Sequence, residues 1–307
     1  MFGLALDKIT LAIQGNLAYA DEWPEFSGVC IDTKKIKKGD LFIALKNEEK
    51  CERKLLAEAR LQGAGGAIVS SRPIDFPFTD FPLIIVENPL KALQQLAIAQ
   101  RSLFKGPVVA LTGSKGKTAT RELLAAFLRP QGSVLCTQGT CQLEVSLPLT
   151  MLALTKEHQA VIVELERQEL GEIDFFCRLC QPTYGVITQL GEGSQDLLAH
   201  LPAKGGLALN NADKRALRPW LSNVRSPLIW FGLTGGADIF AYKLPLRGEQ
   251  DSYFRLSYQD RMVMELKIPV MEEKNISHYL AAIALSKHLG LSWQEMQTII
   301  NELFWLR

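Results

Sequence analysis

The chain has 307 residues, 47% of them hydrophobic and 22% charged, with a formal net charge of +1. That balance describes a soluble globular protein with ample core and length for two domains, and it gives no global reason to expect nucleic acid or an anionic membrane as a partner. No apolar run is long enough for membrane insertion, and residues 1–7 put no basic group ahead of their apolar ones, which argues against a signal peptide and for the cytoplasm.

Residues 28–104 read as a small α/β unit. Short apolar runs at 29–32, 40–45, 67–69 and 83–86 predict strands, with a basic turn from Lys34 to Gly39 between the first two. Residues 54–61 predict a helix ended by Gly63, Gly65 and Gly66. Pro89 opens another, with Leu90, Leu93, Leu96 and Ala97 at helical spacing. The proline-rich piece 73–82 is a surface connection. Phe104-Lys105-Gly106 is the natural boundary, giving domains 1–105 and 106–307.

The second domain opens on its most informative stretch. Val108-Val109-Ala110-Leu111 reads as a buried strand, and Gly113-Ser114-Lys115-Gly116-Lys117-Thr118 follows it. An amphipathic helix carrying Leu123, Leu124, Phe127 and Leu128 comes next. Glycines at such a turn let backbone N–H groups converge on an anion, the helix N-terminus adds partial positive charge, and a lysine neutralises phosphate. A threonine hydroxyl in this place can ligate Mg²⁺. The full P-loop pattern has a glycine where Leu111 stands, so the match is to a shorter form, G-x-x-G-K-T. The bland alternative is an ordinary glycine turn between strand and helix.

Beyond it, strand patterns at 134–136, 160–164, 185–188 and 207–209 alternate with helical stretches, which predicts a mostly parallel sheet flanked by helices. Residues 226–268 change character and predict antiparallel strands at 229–231, 239–241, 253–256 and 262–266. Two helices, 276–289 and 293–303, close the chain, with Ser292 and Glu295 spaced as a capping box. Phe304 and Trp305 predict either a docking surface or the cap of the last helix's core.

Candidate chemistry is sparse elsewhere. Cys177 and Cys180 form a C-x-x-C, but with no second pair and no nearby histidine they read better as buried thiols on a helix. Six cysteines in so long a chain make no disulfide framework, and the four scattered histidines make a zinc enzyme improbable. Glu164 ends a strand. Ligands gather at the carboxyl ends of parallel strands, so this acid is either a partner for a metal held by Thr118 or a solvated strand-end carboxylate.

Several strings occur together: Ile31-Asp32-Thr33-Lys34, Gly39-Asp40-Leu41-Phe42-Ile43-Ala44-Leu45, Thr112 to Thr118, Thr137-Gln138-Gly139, Leu147-Pro148-Leu149-Thr150 and Val163-Glu164-Leu165. Gly171-Glu172-Ile173, Gln181-Pro182, Asn211-Ala212-Asp213 and Asn275 with Leu280-Ala281-Ala282 continue the set in order. In this order they resemble the Mur ligases, most closely their MurF type, which adds D-alanyl-D-alanine to a UDP-N-acetylmuramoyl tripeptide in peptidoglycan synthesis. The resemblance implies a ligase in which ATP phosphorylates a peptide carboxylate and an amine attacks the acyl phosphate. It gives Gly113, Ser114, Lys115, Gly116, Lys117 and Thr118 to the ATP phosphates, Asn275 to the adenine, and Thr118 with Glu164 to Mg²⁺. Lys117 and Glu164 would serve catalysis, and Asp32, Thr33 and Lys34 would lie in the domain that grips the UDP-sugar.

The resemblance also has gaps. An asparagine-rich string is replaced by residues 140–146. Glu166 stands where the family has a glycine. Thr188-Gln189-Leu190-Gly191-Glu192-Gly193-Ser194 ends without the histidine that helps bind a second metal. The stretch carrying a carbamoylated lysine looks deleted before Lys204, Glu48 to Glu52 replace an expected D-G-H-D-F, and after Arg307 there is no room for the third domain. These gaps leave three expectations: an active ligase, alone or with a protein partner replacing that domain; an impaired homologue acting as a nucleotide-binding regulator or scaffold; and a P-loop enzyme that hydrolyses ATP.

Overall fold

The computed structural model describes residues 4–18, 25–45, 49–71, 78, 80–137, 142–166, 171–244, 251–269 and 275–305. The chain divides into two units, Met1–Lys105 with Gln138–Lys156, and Gly106–Thr137 with Glu157–Arg307.

In the first unit β1 (Leu4–Ala5), α1 (Leu6–Ile13), β2 (Asn16–Ala18) and β3 (Glu25–Phe26) precede the elements expected from sequence. Then come β4 (Val29–Cys30), β5 (Leu41–Ile43), α2 (Glu49–Leu61), β6 (Gly66–Val69), β7 (Leu83–Ile85) and α3 (Pro89–Leu103). A five-stranded sheet runs β2-β7-β6-β5-β4, parallel except for β2. Its core holds Phe42, Leu56, Ala59, Ala67, Val69 and Leu83. Asn88 caps α3, accepting from the Lys91 N–H at 3.0 Å, and Pro89 fills the first turn, where no N–H partner is needed.

The same unit takes in α5 (Leu143–Leu152), which packs on α3. Pro148 lies inside this helix. Its missing N–H leaves the carbonyl four residues back, that of Glu144, without a helical partner. The Gln94 amide of α3 donates to that carbonyl at 3.3 Å, so the proline is tolerated.

The second unit is a nine-stranded sheet of order β16-β15-β14-β13-β12-β11-β8-β10-β9. Its strands are β8 (Val108–Thr112), β9 (Ser133–Cys136), β10 (His158–Glu164), β11 (Tyr184–Ile187), β12 (Gly206–Asn210), β13 (Leu228–Gly232), β14 (Ile239–Lys243), β15 (Asp251–Tyr258) and β16 (Arg261–Pro269). The helices are α4 (Lys117–Leu128), α6 (Glu172–Cys180), α7 (Lys214–Leu221), α8 (Ile276–His288) and α9 (Trp293–Trp305). Every residue of β8 is buried, as befits a strand covered on both faces. Small residues Ala281, Ala282 and Ala284, all fully buried, let α8 lie close against β12, β13 and α4.

One expectation needs correction. The antiparallel section begins only at β14. Strand β13 pairs parallel with β12, and β14 parallel with β13, while β14-β15 and β15-β16 are antiparallel. The short helix α7 makes the return crossing from β12 that parallel pairing requires. Across β15 and β16, Phe254, Leu256, Met264, Leu266 and Ile268 face the core, while Arg255 and Glu265 pair on the other side at 2.9 Å.

Candidate functional site

Strand β8 lies between β10 and β11. The chain reaches β9 and β10 on one side and β11 and β12 on the other, so the end of β8 is a switch point, the place where open α/β sheets bind ligands. The loop from Gly113 to Gly116 leaves β8 there and runs into α4.

Two glycines give this loop its path. Gly113 has φ +134°, and a Cβ on it would meet the Gln189 carbonyl at 2.7 Å and the Thr188 hydroxyl. Gly116 has φ +85°, and a Cβ there would run into the ring of His278. Hydrogen bonds tie the end of β8 and the loop to the residues that follow β11. The Ser114 N–H donates to the Gln189 carbonyl at 3.0 Å, the Thr188 hydroxyl to the Lys115 carbonyl at 2.6 Å, and the Thr188 N–H to the Thr112 carbonyl at 3.1 Å. The Asp213 carboxylate accepts the Leu190 N–H at 2.7 Å, fixing the neighbouring stretch, and burial pushes that carboxyl upward. Helix α4 opens at Gly116 with no side-chain cap. Its first-turn N–H groups therefore remain suited to an anion.

The charged groups converge on the same point. Lys117 Nζ donates to the Gly113 carbonyl at 2.8 Å and pairs with Glu166 at 3.1 Å. The Thr118 hydroxyl donates to Glu164 Oε2 at 3.0 Å. Arg121, one turn further along α4, stands 2.8 Å from Glu164 Oε1. Its Nη1 also donates to the Thr137 carbonyl at 3.2 Å, so the guanidinium bridges that carbonyl and the carboxylate. The Thr137 hydroxyl in turn accepts the Glu164 N–H at 3.0 Å. A threonine hydroxyl, the carboxylate it donates to and a glycine cradle beside an uncapped helix form a hard, oxygen-rich donor set. That set fits Mg²⁺ accompanied by phosphate.

Of the residues expected from sequence, the structure brings together Gly113, Ser114, Lys115, Gly116, Lys117, Thr118 and Glu164 within this one unit. Asn275 precedes α8 and makes no side-chain cap. Three residues on, His278 reaches the loop. Its Nδ1 is buried without a partner, and burial lowers its pKa from 6.5. In the first unit Asp32 caps a short 3-10 turn, accepting the Lys34 N–H at 3.1 Å; Thr33 is buried, and Lys34 is exposed. Arg121, Thr188 and His278 escaped the sequence reading. The signals were present: Arg121 is three residues after Thr118, and His278 three after Asn275.

Other expectations resolve locally. Cys177 and Cys180 are buried on α6, where burial raises the Cys177 thiol strongly. Ser194, at the place of the histidine that the resemblance led us to expect, is buried and accepts the Gly191 N–H at 3.2 Å. Lys204 lies exposed in the turn before β12. The side chains of Phe304 and Trp305, and residues 46–48 and 138–141, lie outside the described residues.

The sheet order and the loop define an α/β protein with a glycine-built loop at the switch point of its larger sheet. Residues 111–196 match the model of the Mur ligase middle domain. The UDP-N-acetylmuramoyl-tripeptide–D-alanyl-D-alanine ligase of Synechocystis sp. is 31% identical over 89% of this chain and 60% of its own length. The enzyme of that name from Buchnera aphidicola subsp. Acyrthosiphon pisum is 30% identical over 97% of this chain and 67% of its own. The UDP-N-acetylmuramoylalanyl-D-glutamyl-2,6-diaminopimelate–D-alanyl-D-alanyl ligase of Acinetobacter baumannii superposes with a TM-score of 0.82 at 26% identity, over 98% of this chain and 69% of that one. The chain belongs to the Mur ligase family. It spans 60% to 67% of the length of these curated relatives.

Proposed function

We propose that this chain binds Mg-ATP on the loop Gly113–Thr118 and serves the ATP-dependent joining of D-alanyl-D-alanine to a UDP-N-acetylmuramoyl tripeptide in the cytoplasm. The observation that carries this reading is the 3.0 Å bond between the Thr118 hydroxyl and Glu164, set beside an uncapped helix and a lysine. Domain 106–307 is the nucleotide-binding part, and domain 1–105, with Asp32, Thr33 and Lys34, is the part that takes the UDP-sugar.

The residues divide the work. Gly113, Ser114, Lys115 and Gly116 offer backbone N–H groups to the phosphates, and Lys117 offsets their charge. Thr118 and Glu164 hold Mg²⁺, which neutralises developing charge on the phosphates when bound. Arg121 keeps the Glu164 carboxylate turned toward the loop. Asn275 reaches the adenine.

The test is a coupled assay of phosphate release and amide formation with UDP-N-acetylmuramoyl tripeptide, D-alanyl-D-alanine and Mg-ATP. Amide formed in step with phosphate, and abolished by Lys117→Ala, is the expected result. Mg-ATP binding with no amide would overturn the ligase reading and leave a nucleotide-binding homologue.

A further inference from the structure

The phosphate loop already holds an anion. Glu166 Oε1 stands 3.1 Å from Lys117 Nζ; the lysine is 12% exposed and the glutamate 68%. The backbone fixes where this carboxylate arises. Leu165, fully buried, donates its N–H to the Leu111 carbonyl at 2.8 Å, which pins the end of β10 against β8. The next side chain therefore projects over the loop. Glu164 and Glu166 differ in what they do there. The former is 13% exposed and engaged by Thr118 and Arg121. The latter is mostly in solvent, and its described ion pair is with the lysine that phosphate would need.

We propose that Glu166 sets nucleotide affinity by occupying the anion position of Lys117, so that a terminal phosphate must displace it. This rests on the phosphate-loop reading above. An ion pair this exposed is weak, so displacement is feasible. The displaced carboxylate stays close enough to repel the phosphates that replace it. The penalty therefore grows with the number of phosphates reaching Lys117, and a nucleotide lacking those phosphates escapes it.

The experiment is calorimetric titration of the full chain, as wild type, Glu166→Gln, Glu166→Ala and Lys117→Ala, with Mg-ATP, Mg-ADP, AMP and Mg-tripolyphosphate. Both Glu166 variants should bind Mg-ATP and Mg-tripolyphosphate about three- to tenfold tighter than wild type. Mg-ADP should gain less and AMP nothing. Adding Lys117→Ala to Glu166→Gln should abolish the gain. Unchanged Mg-ATP affinity in both Glu166 variants overturns the proposal and leaves the phosphate loop standing. Weaker binding overturns it too, because Glu166 would then be a ligand of metal or nucleotide. Equal gains for AMP and ATP would overturn it in favour of a general charge effect. If no chain binds any polyphosphate, the phosphate-loop reading falls and the proposal with it.

Discussion

Gly116 meets two demands at once. Its φ of +85° suits glycine, and the ring of His278 fills the space where a side chain would begin. Gly116→Ala should therefore cost about 2–3 kcal/mol in denaturant unfolding. In a His278→Ala background only the backbone part should remain, about 1 kcal/mol. A second prediction concerns protonation of His278. Burial holds its folded-state pKa below 6.5, so just under that pH the unfolded chain binds more protons than the folded one. The stabilising preference for the neutral ring is then complete above about pH 6.5 and is lost as pH falls through that window. Melting curves from pH 7 to 5 should show a shallower loss for His278→Asn than for wild type. At this scale the loop and Glu164 were legible because their chemistry is spelled by neighbours in sequence and by one strand end. His278 and Thr188 were not, since their roles depend on contacts between residues far apart in the chain.

Helices and strands were legible where burial is simple. The strand β8 and the helix α4 follow from an apolar run and a helical stripe. The capping box of α9 reads directly: the Ser292 N–H donates to Glu295 Oε2 at 2.7 Å and the Glu295 N–H to Ser292 Oγ at 3.2 Å. Helices α5 and α7 did not show, because each contains a proline that local propensity counts against. Tertiary packing overrides propensity in α5, and the Gln94 bond is the visible compensation. Gln94→Leu should thus cost about 1 kcal/mol by stranding the Glu144 carbonyl, measured by urea unfolding. The helix α8 supplies an opposite case. Ser286 is fully buried, and its hydroxyl has no partner. Ser286→Ala should leave stability unchanged or raise it by up to about 1 kcal/mol, read as an unaltered or higher Tm.

The chain joins a small unit with a mostly parallel sheet to a larger one whose switch point carries the glycine loop. The stretch that matches the Mur ligase middle domain, residues 111–196, takes in this loop together with Glu164 and Glu166. If Glu164 holds the metal, Glu164→Gln should raise the Mg²⁺ concentration needed for nucleotide binding while leaving metal-free binding nearly unchanged. Titration of ATP at several Mg²⁺ concentrations checks this. The most direct measurement for the account as a whole is the thermal unfolding of wild type and Lys117→Ala with and without Mg-ATP. A ligand that binds only the folded chain stabilises it by about 2.7 kcal/mol at a hundredfold excess over Kd. A clear rise in Tm for wild type that disappears in Lys117→Ala is the predicted result. No rise at millimolar Mg-ATP would contradict a working phosphate loop.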